Sequence, residues 1–226
     1  STEIRVSRTE QPRPAIVYDN PLCIPQHALI LAVMMTGEYY QSFGRRELIE
    51  ELYPAIERLC EWCARHVDET GLLYGLSNWN WMDWTVCDLE GANFQTNAFY
   101  YQLLENLADI ARGMGRAEAA NLWRMRASKV RDSLRRMHWD PARELYVDNV
   151  FEGQQSSVAT ELSNGLALLY GIATDEQESH IVDHLSAYQS ELVTATPLFI
   201  YYALEGLVSA GHAETAYEMI TSRFKR

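Results

Sequence analysis

A chain of 226 residues, 47% hydrophobic and 22% charged, has the size and composition of one substantial globular domain. Its net charge of −12 argues against a nucleic-acid partner, because an acidic chain repels phosphate backbones. The longest strongly apolar run, 28–35, is far shorter than the roughly 20 residues a membrane span needs.

Residues 1–20 form a polar N-terminal segment with no apolar stretch of signal-peptide length, and the bare Ser1 reads as a cut or processed end. From 21 to 226 the pattern is helical almost throughout. Residues 26–43 predict a mostly apolar, buried helix. Residues 45–69 predict an amphipathic helix, with a kink or break at Pro54. Cys60 and Cys63 stand in CxxC spacing with His66 after them. A zinc site normally needs four ligands, and neither a second CxxC nor a Cys/His pair accompanies this one. Ile56, Cys60, Cys63 and Val67 instead recur at four, three and four residues, the period of one apolar helix face. The expectation is a helix core, with no metal and no cofactor. Reduced core cysteines lean the protein toward the cytoplasm.

Further helices are expected over 91–112, 116–138, 156–170, 174–189, 195–210 and 212–225. Gly44, Gly115, Gly171 and Gly211 each follow an apolar helix and suit a C-cap. A charged stretch then opens the next helix. The chain therefore repeats a hairpin with an apolar, inner helix first and an amphipathic, outer helix second. An open α-solenoid and a closed α/α toroid both fit such a repeat. The segments between hairpins are long, aromatic and acidic, and long loops in compact domains tend to be functional. That favours the all-α toroid, with a short β-hairpin near 143–152. A six-hairpin ring needs twelve helices. About eight are legible, using ordinary helix lengths, so 21–226 reads as a partial toroid domain.

The densest irregular stretch is 71–91. Three of the six tryptophans, Trp79, Trp81 and Trp84, lie within six residues. Asp83, Asp88 and Glu90 stand among or just after them. Apolar walls with a few placed polar groups are the usual anatomy of a small-molecule pocket, and sugar C–H faces stack on indoles. Asn78, Asn80 and Asn93 are candidate polar partners. The structural alternative is a loop whose tryptophans plug the ring and whose Asp88 caps the helix near Gly91. Cleavage of a glycosidic bond normally uses two carboxyl groups, roughly 6.5–9.5 Å apart in inverting enzymes. Asp83, Asp88, Glu90, Asp148, Glu152 and Glu161 are the candidates, and spacing alone selects no pair. The chain has neither a glycine-rich phosphate loop nor G-x-S-x-G. His180 and His184 share a helix face that reads as solvated.

The segments IPQHALILAVMMTGEYYQSFG, ELYPAIERLCEWCARHVDETGLL, NWNWMDW, SSVATELSNGLALLYGIA and TATPLFIYYALEGLVSAGHAETAYEMITSRF resemble bacterial α-L-rhamnosidases of glycoside hydrolase family 78. The resemblance covers roughly 20–226, and the W-x-x-x-DW element at Trp79 to Trp84 is its most specific piece. It implies a six-hairpin catalytic domain that hydrolyses terminal α-L-rhamnose with inversion. It implies a rhamnose subsite at Trp79 to Trp84, with stacking by Trp79 and Trp81 and a sugar-binding or orienting Asp83; the loop's own residues add Asp88, Glu90 and Asn93 as candidate ligands, and the 156–170 helix adds Glu161 and Asn164. Asn164 matches a family asparagine, whereas Glu161 falls where relatives carry Gln or His. Asp83, Asp88 and Glu161 are the weak catalytic candidates here. The family's acid-bearing segment precedes the IPQHAL helix and its base follows the helix ending at Arg226, so the resemblance places both outside this chain. The implied partner is a rhamnose-containing glycan. Further toroid segments or a second copy would cover exposed apolar surface. Two alternatives stay open. One is another α/α-toroid carbohydrate enzyme, though an anionic uronate would call for basic residues that 79–91 lacks. The other is a non-catalytic helical-repeat binding module.

Overall fold

The structure is a computed structural model that describes residues 32–33, 36–37, 46–76, 82–187 and 190–224. Among these, seven helices are arranged in two layers. They are α1 (Arg46–Ala64), α2 (Phe94–Gly113), α3 (Ala117–His138), α4 (Glu161–Leu169), α5 (Asp175–Ser186), α6 (Ile200–Ser209) and α7 (Ala213–Phe224).

Burial separates the layers. In α2 fifteen of twenty residues are buried, and in α4 eight of nine, so both are covered nearly all round. In α3 the buried positions Ala120, Trp123, Ala127, Val130 and Leu134 recur at three and four residues, leaving the opposite face to water. In α7 only Ala216 and Met219 are buried. Thus α2, α4 and α6 are inner, and α1, α3, α5 and α7 outer, in the expected hairpin order. Inner α4 packs on both α2 and α6, while outer α5 packs on α7. Most of the expected first inner helix lies outside the described residues. Of it, Ala32, Val33 and Thr36 are buried, and Asn106 of α2 donates to Val33 O and Thr36 Oγ1 at 3.3 and 3.1 Å.

The three inner helices end alike. At α2 the Gly115 N–H reaches Arg112 O at 3.0 Å, and the Arg116 N–H reaches Ala111 O at 2.8 Å. The same pair of bonds recurs at Gly171 with Ile172 and at Gly211 with His212. This hydrogen-bond pattern puts the glycine at positive φ, 74°, 61° and 88° in the three copies, where a side chain would be strained. The expected caps are present at these three; Gly44 lies outside the described residues.

Between α4 and α6 the contact is backbone to backbone. A Cβ on Gly165 would stand 2.4 Å from Ala203 Cα, and one on Gly206 2.5 Å from Gly165 O. Two glycines therefore set how near these inner helices approach.

Helix α1 continues through Pro54 without a break, and Pro54 is exposed. The expected β-hairpin near 143–152 is present, as two antiparallel pairs whose strands reach beyond those bounds. Strand β2 (Trp139–Asp140) pairs with β3 (Leu145–Tyr146); β4 (Asn149–Phe151) lies between β1 (Ala92–Asn93) and β5 (Gln154–Gln155), all antiparallel. Glu152 and Gly153, at φ 48° and 77°, make the two-residue turn that joins β4 to β5. Finally, His180 and His184 do not form a solvated stripe. His180 Nδ1 lies 3.1 Å from Glu144 and His184 Nε2 lies 2.9 Å from Arg143 O, so both brace the β2–β3 turn.

Cys60 and Cys63 are fully buried in the core, as the periodicity predicts. Burial pushes both thiols up, Cys63 to about 12, which keeps them protonated and unreactive. Among the described residues no group of three His, Cys, Asp or Glu could hold a metal ion, and no helix is long and apolar enough to cross a membrane.

Candidate functional site

The inner helices start at one end of the array, and the acidic and aromatic loop lies across those starts. A helix N-terminus offers unpaired N–H groups and a partial positive charge, so carboxylates and amides collect there. Five such side chains, Asp148, Asp83, Glu161, Asn93 and Asn164, organise this end.

Asp148, wholly buried just before β4, holds the start of α4. Its Oδ1 accepts from the Thr160 N–H at 3.1 Å, the Thr160 hydroxyl at 2.8 Å and the Ser163 hydroxyl at 2.7 Å. Its Oδ2 accepts from the Asp88 N–H at 3.4 Å, and its backbone carbonyl takes the Phe94 N–H at 2.7 Å. Burial raises this carboxyl to about 6, against the downward pull of the Ser163 and Thr160 hydrogen bonds.

Asp83, 4% exposed, holds the segment that leads into α6. Its Oδ2 accepts from the Thr196 N–H at 3.0 Å, and its Oδ1 from the Thr196 hydroxyl and, at 2.7 Å, the Trp84 N–H. Glu161, the first residue of α4 and 2% exposed, grips the neighbouring peptide. Its Oε2 accepts from the Ala195 N–H at 3.0 Å and from Arg223 at 2.7 Å, and its Oε1 meets the other arm of the same guanidinium. Val193 bridges Thr160 in parallel, so residues 192–196 lie as a short extended strip against the start of α4.

Asn93 is the N-cap of α2. Its Oδ1 accepts from the Thr96 N–H at 2.8 Å and its Nδ2 donates to the Asp88 and Asp148 carbonyls. The cap is therefore Asn93 and not Asp88. Asp88 Oδ1 instead accepts from Glu90 N–H and Asn149 Nδ2, both at 3.3 Å. Asn164 is wholly buried. It accepts from the Tyr146 N–H at 2.9 Å and donates to the Tyr146 and Thr160 carbonyls, each at 3.0 Å.

The candidate residues thus fall into two groups. Asp83, Asn93, Glu161 and Asn164 come together at the helix starts, where their polar atoms are engaged with protein. Trp84 is 75% exposed, Glu90 is exposed and Asp88 half-buried, so this outer set faces solvent. Trp79 and Trp81, with Asn78 and Asn80, lie outside the described residues. Tyr74 and Phe151 stack at 6.4 Å beside this loop, and the Tyr74 hydroxyl accepts from the Glu152 N–H at 3.3 Å. A cavity of about 770 Å³, lined by Arg136, Asp140, Arg143, Gln155, Ser156 and Glu191 among others, is polar and has no aromatic wall. It takes none of the candidate residues.

Sequence reasoning weighed Asp148 only as one acid among six and did not single out Thr160, Thr196 or Arg223. One signal was present. Ala92-Asn-Phe-Gln-Thr-Asn97 and Ala159-Thr-Glu-Leu-Ser-Asn164 share the pattern Ala, cap, two residues, Thr or Ser, Asn, and Ala195-Thr196 keeps its first two positions. Nothing local marks Arg223 as the partner of a residue 62 positions away.

Comparison with known proteins agrees with this architecture. The family described as bacterial alpha-L-rhamnosidase 6 hairpin glycosidase domain matches residues 27–226. A glycoside hydrolase family 78 rhamnosidase of Bacillus sp. GL1 superposes with a TM-score of 0.77 at 24% identity, covering 88% of this chain and 21% of that one. A rhamnosidase of Klebsiella oxytoca, solved with rhamnose bound, gives 0.72 at 20% identity, covering 87% and 37%. An N,N'-diacetylchitobiose phosphorylase of Vibrio proteolyticus is 27% identical over 169 residues, 67% of this chain and 20% of that protein. The chain thus spans about a fifth of the curated relative's length.

Proposed function

The chain belongs to the bacterial α-L-rhamnosidase six-hairpin glycosidase family, and from that premise we propose that it forms part of the sugar-binding wall of an inverting α-L-rhamnosidase. The observation that carries this reading is Trp84. The residue is 75% exposed, while its backbone N–H is held by Asp83 Oδ1 and the neighbouring Met82 and Asp83 are buried. An exposed indole on a pinned backbone is a preorganised stacking surface for the C–H face of a pyranose. The family resemblance assigns Trp79 and Trp81 to stacking on the same sugar. Asp88 and Glu90 receive sugar hydroxyls at its edge. Asp83, Asn93, Glu161 and Asn164 support it from below.

A general acid or base must reach the proton it moves. Asp83, Asp148 and Glu161 are each at most 4% exposed and already bonded to protein, which argues against that role for these three. The family resemblance places the acid and base outside these residues, so the chain is expected to bind L-rhamnose without cleaving an aryl α-L-rhamnoside by itself.

Calorimetric titration with L-rhamnose tests this. The expected result is weak binding, weakened at least tenfold in Trp84→Ala, with no release of the aryl group. Equal binding by Trp84→Ala and the parent, or turnover abolished by Asp83→Asn, would each overturn the reading.

A further inference from the structure

Two buried carboxylates hold consecutive peptide groups. Glu161 takes the Ala195 N–H, and Asp83 takes the Thr196 N–H and hydroxyl. Asp83 also takes the Trp84 N–H. On the other side, both arms of the Arg223 guanidinium close on Glu161. Arg223 stands in the last turn of α7, an outer helix. A continuous path thus runs from α7, through the start of α4 and the 195–196 strip, to the backbone of Trp84.

We infer that Arg223 is the positioning residue of this path: by neutralising Glu161 it fixes the 195–196 strip, and the strip fixes the Asp83–Trp84 loop. Glu161 is 2% exposed, and a charge so buried is costly unless a cation pairs with it. The two parallel N–H···O contacts need a planar guanidinium; an ammonium would supply one. Without Arg223, Glu161 turns toward water, and the Ala195 N–H loses its acceptor. Thr196, the next residue, then loses the register that presents both its donors to Asp83. Glu161 thereby serves the sugar wall without touching sugar. This consequence for binding rests on the reading of Trp84 given above; the mechanical path does not.

Hydrogen exchange of the full chain under native conditions reads the path directly. In Arg223→Met, amides of 82–90 and 192–198 should exchange at least tenfold faster, while those of α2 keep their protection. Adding Glu161→Gln should return both segments to within about threefold of the parent, because an amide carbonyl accepts from Ala195 without leaving a buried charge. Arg124→Met breaks the ion pairs of this outer-helix arginine with Glu105 and Asp109 of α2 and should change neither segment. Should Arg223→Met fail to fold, Arg223→Lys gives the same local loosening in milder form. Unchanged exchange in 82–90, equal acceleration in α2, or no return in the double variant overturns the inference. Rhamnose titration of the same proteins separates the two claims. If the parent binds no rhamnose, the sugar reading fails while the exchange result still decides the role of Arg223.

Discussion

Asp83 and Asp148 do the same work one hairpin apart. Each buried carboxylate accepts the N–H and the hydroxyl of a threonine that leads into the next inner helix, Thr196 for Asp83 and Thr160 for Asp148. The two threonines follow buried alanines, Ala195 and Ala159, in matching sequence positions. The acid of the W-x-x-x-DW element is thus a copy of a repeated latch. Thr196→Val should cost about 1–2 kcal/mol, the loss of one buried charge-assisted hydrogen bond, and Thr160→Val more, because its hydroxyl also accepts from Gln95 and caps α4 at the Ser163 N–H. Combining Thr196→Val with Asp83→Asn should cost less than the sum, since both remove the same contact. Urea unfolding of the single and double variants measures this, and strict additivity would refute the latch.

Asn97 and Asn164 repeat in the same way. Asn97 accepts from the Leu73 N–H at 2.7 Å and donates to the Leu73 and Asn93 carbonyls, as Asn164 does for Tyr146 and Thr160. Each clamps the returning residue of a β-turn to an inner helix. Replacement of either by Ala leaves both peptide groups of that residue buried and unpaired. A loss of roughly 2–4 kcal/mol is expected from each. Asn164→Ala should leave the rhamnose affinity of the folded protein unchanged, and a selective loss of binding would make it a sugar ligand after all.

Gly165→Ala should be poorly tolerated. The added methyl group would meet backbone atoms of Ala203, which cannot swing away as a side chain can. Separating α4 from α6 is expected to cost about 2–3 kcal/mol. Thermal unfolding within about 2 °C of the parent would show that the helices slide apart freely.

His138 and Asp148 give opposing pH dependences. Burial lowers His138 to about 4 from 6.5, with its Nε2–H donating to Ala92 O at 2.7 Å. Its neutral form favours the fold above pH 6.5, and that contribution is lost as pH falls toward 4. Asp148, raised to about 6 from 3.8, contributes below 3.8 and loses that contribution as pH rises through 6. Between pH 4 and 6 the two slopes offset one another. In His138→Asn, stability should therefore rise on acidification from pH 6 to 4, by on the order of 2 kcal/mol relative to the parent. Urea midpoints at pH 4, 5 and 6 decide it; a curve parallel to the parent's would mean that His138 titrates normally.

Met82 and Trp84 are two residues apart and differ in role. Met82 is 0% exposed and belongs to the core, whereas Trp84 is 75% exposed. Met82→Ala should cost about 2–5 kcal/mol. Trp84→Ala, at an exposed position, should cost much less than Met82→Ala. A large destabilisation in Trp84→Ala would make its indole a packing residue.

Much of this protein is legible in the sequence because the relevant forces are local. Apolar spacing separates α2 and α4, buried nearly all round, from α3, buried along one stripe. Gly115, Gly171 and Gly211 mark helix ends because the closing turn needs a positive φ. The Cys60–Cys63 pair reads as core from periodicity alone. What the tertiary structure decided is partnership. Asp83, Asp88 and Glu161 are equally plausible acids in the sequence, since spacing carries no information about burial. Folding encloses Asp83 against Thr196, 113 positions away, and Glu161 against Arg223, 62 positions away, while it leaves Trp84 outside. A carboxylate acquires its role from the donors that surround it, and those donors arrive from helix starts and ends that meet only when the hairpins pack.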